Sequence, residues 1–569
     1  MGCHRFLSLA LLFALWVSAA TGLADEATER VFFNASIFTA EPDHPYAEAV
    51  AIRGDKIVAL GSRAEVAKSV GTKAESIDLQ GKWLLPGFID SHSHSIFGGL
   101  TLVSADVSDK VESMADLVAF VADAKKTGKG MNGDILSVSG LPLAFWSKTD
   151  ELNANFSNGT YANQPVFLAG MDGHTAWGNR ALLRRAEITQ QFISALSAAD
   201  RNYYGVGSGS EPNGFVVDDG LRKLQAVVPK PTKDRLLEAG RAALQYNHSL
   251  GITSWVDPIV DESALTAYRQ LAARGELTAH VAGFVQVYAK KPAGEELASV
   301  QKVRQQNKDL KNLKISGVKI FADGVAEFPS QTAALSQPYR NSGKNGELLF
   351  DPKRFAQLAI AADKQGLIVH VHAIGDQAVK EALNGIEAAR KANGPSGLPH
   401  TITHVQFMQP EDFPRFRRLD VIAALQLFWA SANGDAIELL KPYLDPAIYR
   451  WQYPARSLLD NGAVISGASD WPVSTANVFL AIYQAETRKG PEGVLDASQR
   501  LPREAMLLAY TRNSARAMNE QTSIGSIAPG KQADFVLVDR DVLTAPAEEF
   551  KDTKVLWTMV AGKTVYKAQ

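Results

Sequence analysis

Residues 83–95 read WLLPGFIDSHSHS. An apolar run, broken by Pro86 and Gly87, leads directly into His92 and His94. The two-residue period of a strand aims both imidazoles at one face. Two imidazoles at a strand end can meet one metal ion, although a lone H-x-H pair is equally compatible with a structural role.

Four later runs have the same texture: an apolar, β-branched stretch that ends on a chemically capable side chain. In LKISGVKIFADG (313–324) Lys319 sits inside the run. A cation in a strand buried on both faces must be paired or chemically altered. Two readings stay open, a salt bridge with an acid such as Asp323 and a lysine carboxylated by carbon dioxide whose carbamate oxygens could bridge two cations. In LIVHVHAIGDQAV (367–379) His372 ends the run. His370 shares its face one layer deeper and reads as a packed core histidine, and Asp376 suits the N-cap of the helix that follows. HTITHVQF (400–407) places His404 at a strand end and His400 in a structural position. AVISGASDWPV (463–473) closes on Asp470, either a helix cap or a carboxylate that binds a metal and accepts a proton from water.

Between these runs lie helix-patterned stretches such as 236–251 and 354–367, the alternation of parallel β/α units. The fold class expected is α/β, a (β/α)8 TIM-like barrel over residues 86–519 with its site at the C-terminal strand ends. Residues 130–231 are richer in Gly, Asn and Ser and carry Phe145, Trp146, Trp177, Tyr203 and Tyr204. This stretch reads as an insertion over the barrel mouth. Its aromatic residues either pack or receive an apolar nitrogen substituent. Both ends of the chain hold β-runs with turn punctuation, Gly54-Asp55 near the start and Ala561-Gly562-Lys563 near the end. They predict one small β-sandwich domain assembled from residues 25–85 and 520–569.

A length of 569 residues with 46% hydrophobic content accommodates a large domain and a smaller companion. The 59 Lys and Arg nearly balance the 61 Asp and Glu, so no strong field attracts nucleic acid or an anionic membrane. A small-molecule substrate is the expected partner; association of copies of the chain stays open. The charged start, the apolar run over 6–20 and the small residues Ser18, Ala19 and Ala20 have the parts of a signal peptide. Cleavage by residue 24 predicts a periplasmic or secreted protein without stable membrane association. It would also remove Cys3, the single cysteine, leaving nitrogen and oxygen as the metal-binding atoms.

The order H-x-H, lysine, histidine, histidine, aspartate along successive units resembles the amidohydrolase superfamily. PGFIDSHSH, DGHTAWGN, VKIFADG, HAIGDQA and SGASDWPV are similar to the amidohydrolase 3 group, the YtcJ-like proteins related to N-substituted formamide deformylase. The resemblance implies that His92 and His94 bind one metal, Lys319 bridges, and His372 and His404 bind a second. It further implies that Asp470 ligates the first metal and acts as general base. His174, from the insertion, would touch substrate or polarise its carbonyl, while Trp177 and Asn179 look structural. Imidazole and carboxylate donors suit two Zn2+ first, with Mn2+ or Fe2+ fitting the same set. The expected activity is hydrolysis of an amide-type carbon–nitrogen bond by a metal-activated water. A mononuclear deaminase and a catalytically silent periplasmic binding or regulatory protein are the competing readings; retention of Asp470 argues against the second.

Overall fold

The computed structural model describes residues 28–107, 110–207 and 210–569; the leader expected over residues 1–24 lies outside them. Eight parallel strands form the central sheet: β1 (Phe88–Asp90), β2 (Ile252–Asp257), β3 (His280–Gln286), β4 (Leu313–Phe321), β5 (Ile368–Ala373), β6 (Thr401–His404), β7 (Ile422–Leu425) and β8 (Val464–Gly467). They pair in chain order. The ends meet where Ser91 N–H donates to Gly467 O at 2.9 Å and the hydroxyls of Ser91 and Ser466 lie 2.8 Å apart. The chain is thus an α/β protein built on a nearly closed eight-stranded barrel.

The strands form because their runs are apolar and β-branched, and helices return across the outside. Helix starts follow local chemistry: Thr232 caps Lys233–Ser249, and Asp351 caps Pro352–Lys364. After β5 the structure departs from the expectation. Gly375 is the N-cap of Asp376–Asn393 and makes no side-chain cap. The Asp376 carboxylate instead accepts from Ser336 and from Gln409 Nε2, because that loop packs over the helix start and competes for it.

The two ends of the described chain join in one continuous mixed sheet. Glu75–Pro86 pairs parallel with Glu29–Phe38 and antiparallel with Phe535–Val538. Gly54-Asp55 and Ala561-Gly562 turn its hairpins, with Ala561 and Gly562 both at positive φ. Phe32, Val50, Ile52, Leu84, Phe535 and Met559 form its core. Gly87 links this sheet to β1, and a Cβ there would meet the Thr253 side chain at 2.4 Å. Only glycine allows that approach.

Between β1 and β2 the chain builds a second, six-stranded sheet from residues 131–217. Its core also holds Ala105, Leu117, Val121 and Ala124. The inserted unit therefore begins before residue 130, because the helix Met114–Thr127 buries its apolar face against this sheet. Trp177 is fully buried with its indole N–H on Asn213 O, and Asn179 caps the helix Arg180–Arg185. No helix among the described residues is long and apolar enough to cross a membrane.

Candidate metal and hydrolytic centre

The C-terminal ends of the barrel strands converge on one carboxylate. His92 and His94 follow β1, Asp470 follows β8, and Nε2 of each histidine lies 3.3 Å from Asp470 Oδ1. Asp470 is held at φ +58°, with its N–H on His92 O at 2.8 Å. His404 sits at φ +76°. Such conformations are costly for residues with a Cβ and persist where the surroundings fix them, often at functional sites. Asp90 fixes this one: its carboxylate accepts from the N–H groups of His92 and Ser469, both at 3.1 Å.

The far side of each ring is occupied as well. His92 Nδ1 lies 2.6 Å from His370 Nε2. His404 Nδ1 is 3.0 Å from Gln426 Oε1, and Gln426 is anchored on Thr403. His372 Nε2 lies 3.0 Å from Gly324 O; a carbonyl only accepts, so Nε2 bears the hydrogen and Nδ1 keeps a lone pair. Lys319 Nζ, on β4, is 3.5 Å from His92 Nε2 and 4.8 Å from the Phe321 ring centroid.

Electrostatics favour metal-binding protonation states. Burial, then repulsion from Lys319 and neighbouring imidazoles, holds His92 and His370 well below the ordinary histidine range. His372 and His404 are also held well below it, burial again leading. Burial pushes the Lys319 amine down to about 7. For Asp470 burial opposes ionisation, but the neighbouring His94, His404 and Lys319 outweigh it and hold its pKa below the ordinary carboxylate value. The result is an ionised carboxylate beside a His92 ring held neutral.

The salt-bridge reading of Lys319 does not hold. Asp323 spends its oxygens on the N–H groups of Ala334, Ile374 and Gly375 at 2.8–3.0 Å, and the two residues form no ion pair. His400 is structural: its Nδ1 accepts from Val369 N–H, and its Nε2 is 2.9 Å from Asp363.

A metal fits this donor set. His92, His94 and Asp470 offer three ligand atoms within 4.8 Å of one another. Asp470 Oδ1 is buried, and the two imidazole nitrogens 3.3 Å away leave it without a well-formed hydrogen bond, a costly state for an anionic oxygen unless a cation joins it. His372 and His404, with ring centroids 4.5 Å apart, stand outside that group; Asp323 Oδ1 lies 3.7 Å from His372 Nε2.

His174 enters from the inserted sheet. Its ring centroid lies 5.2 Å from that of His372, and its Nδ1 is 2.7 Å from Asp218 Oδ1. Burial would discharge it, but the Asp218 hydrogen bond and charge prevail and raise its pKa. With His372, His404 and Asp470 it lines a cavity of about 590 Å³. Phe145, Trp146, Trp177 and Tyr203 are buried, Phe145, Trp146 and Trp177 within the core of the insertion, so those aromatic residues pack.

Sequence reasoning missed the groups that aim the site residues. Asp218 carried a signal, an acidic pair ending the strand Pro212–Val217, but no local pattern links it to His174. Gln426 and Asp90 carried none.

Residues 75–566 match the amidohydrolase family. Protein LONG AFTER FAR-RED 3 of Arabidopsis thaliana is 29% identical over 94% of this chain and 91% of its own length. The N-substituted formamide deformylase of Arthrobacter pascens is 24% identical over 94% and 98%. A crystal structure of a metal-dependent hydrolase from Pyrococcus horikoshii superposes with a TM-score of 0.70 at 24% identity, covering 92% of this chain and 99% of that one; it shares the fold. With a match across most of its length and the barrel that carries it, this chain belongs to the amidohydrolase family and is a hydrolase.

Proposed function

We propose that the protein is an exported amidohydrolase that cleaves an amide-type carbon–nitrogen bond in a small molecule, with N-substituted formamides the first compounds to test. The observation that carries this reading is the buried Asp470 Oδ1, 3.3 Å from Nε2 of both His92 and His94, on the floor of a cavity that His174 overlooks. His92, His94 and Asp470 would hold one divalent cation. Lys319, carboxylated, would join it to a second held by His372 and His404; zinc is the first choice for nitrogen and oxygen donors. Bound cations supply Lewis acidity and bring the pKa of water toward neutrality.

The chain's own groups do the rest. Asp470, held ionised, accepts a proton from the attacking water and returns it to the departing nitrogen, a role worth about 10² to 10⁴ in rate. His174, kept protonated by Asp218, donates a hydrogen bond to the carbonyl oxygen as negative charge develops there. The leader over residues 1–24, with its charged start and apolar run, supports export to the periplasm or beyond.

Asp470→Asn tests the reading: it keeps the size and one ligating oxygen but cannot accept a proton at neutral pH. Metal should be largely retained and kcat should fall at least about a hundredfold, whereas His92→Ala should fail by losing metal. Near-normal turnover of Asp470→Asn with metal in place would refute the assignment. A single-metal centre is the second reading, favoured because His92, His94 and Asp470 are the one group of three such donors that converges among the described residues. Metal content per active chain separates the two.

A further inference from the structure

The cavity continues past the histidines to a wall built differently from the floor. Trp429 lies parallel to His404, interplanar angle 10° and centroids 5.5 Å apart, and lines the cavity beyond it. Beside it stands Tyr453, 5% exposed and at φ +48°. Its backbone is pinned by Gln406 O, which accepts its N–H at 2.7 Å, and by Arg488. Its hydroxyl faces this space, feels the charges of Glu327 and Asp435, and makes no hydrogen bond among the described residues.

Three carboxylates line the same wall: Asp172, Glu327 and Asp435. None forms an ion pair among the described residues. Asp172 Oδ1 accepts from His174 N–H and from Thr175, while its Oδ2 is buried without a partner. Glu327 accepts one hydrogen bond, from Gln406 at 2.9 Å. Lys110, the lysine that lines the cavity, stands exposed and donates to Asp106 O at 3.1 Å. Burial first, then repulsion from Asp435 and Asp172, pushes Glu327 up to about 7, as expected of acids gathered close together.

Three acids, two aromatic rings and an unpartnered hydroxyl form the kind of enclosure in which an organic cation is stabilised. We propose that this wall is a cation subsite and that the substrate is an amide whose nitrogen substituent carries an ammonium or guanidinium group. The inference rests on the amidohydrolase reading for the orientation of that substituent, away from Asp470. A neutral substituent would leave Glu327 and Asp435 without a counter-charge, while Asp172 has the charge of His174 near it.

The test is calorimetric titration of the metal-loaded enzyme at pH 8 and fixed ionic strength with two isosteric probes, 4-methylbenzylammonium and 4-methylbenzyl alcohol. The ammonium should bind at least about tenfold more tightly, a difference of about 1.4 kcal/mol. Glu327→Gln combined with Asp435→Asn should reduce the preference to within about threefold. Asp435→Asn alone, at an exposed position, should lower ammonium affinity at least about threefold and serves if the double variant misfolds. Equal affinities, a tighter alcohol, no ammonium binding at millimolar concentration, or a preference untouched by both variants would each overturn the subsite. Turnover of N-formyl derivatives is read separately: no hydrolysis alongside intact ammonium selectivity would sink the amide reading and leave the subsite standing.

Discussion

His370 Nε2 lies 2.6 Å from His92 Nδ1, across the barrel from β5 to β1. The ring expected to be core packing therefore fixes the orientation of the His92 ring and leaves His92 Nε2 to face Asp470. Partners of this kind commonly contribute 10- to 100-fold in metal affinity. His370→Ala should weaken metal binding by about that factor, measured by competition with a chelator, and His370→Gln should recover part of it. Unchanged affinity in His370→Ala would mean that the ring only packs.

Lys319 is 1% exposed, and its amine is pushed down to about 7 by burial, so a large neutral fraction is available to react with carbon dioxide. Lys319→Ala should lose metal and activity together, and acetate or propionate should restore part of both. Full metal content with normal turnover in Lys319→Ala would end the bridging role.

Asp218 reaches no cavity surface itself but holds His174 at 2.7 Å. Asp218→Asn keeps the shape and removes the charge that keeps His174 protonated. Turnover should fall about 10- to 100-fold with little change in KM, as when an interaction made in the transition state is lost. His174→Ala should fall at least as far, and the double variant no further. Additive losses would show that the two residues act separately.

The Asp363 carboxylate, buried behind the barrel, accepts from His400 Nε2, Arg390 Nη1 and Asn393 Nδ2 at 2.8–3.1 Å. Burial opposes its charge, but the hydrogen bonds from His400, from the Ser396 hydroxyl and from Asn393 outweigh it and hold its pKa far below the ordinary carboxylate value. Burial also lowers the pKa of His400, which stays neutral. Both groups bind protons more readily in the unfolded chain. Stability is therefore whole above about pH 6.5, begins to fall as His400 protonates in the unfolded state, and falls further below about pH 4 through Asp363. Thermal unfolding followed from pH 7 to pH 3 should show this decline, and Asp363→Asn should be less stable at pH 7 with a shallower slope below pH 4. An equally steep slope in the variant would place the acid sensitivity elsewhere.

The amino-acid sequence alone determined the barrel and its numbering of parts. Runs 83–95, 313–324, 367–379, 400–407 and 463–473 are apolar and β-branched, and the period of a strand states which side chains share a face without reference to any partner. The same period put His92 with His94, and His370 with His372. What it left open are relationships made through space. His370 and His372 share a face, and only barrel closure decides that one meets His92 while the other meets Gly324 O and the His404 ring. Only the fold shows that Asp323 is given to three backbone N–H groups and forms no ion pair with Lys319. Asp172, Glu327, Asp435 and Tyr453 come from the inserted sheet, from loops and from the short helix Gly434–Ile437, far apart in the chain, and each alone reads as an ordinary surface acid or packed ring. Local patterns act over a few residues; the enclosure of unpaired carboxylates exists only once the insertion is laid across the strand ends, where burial turns separate polar residues into one interacting group.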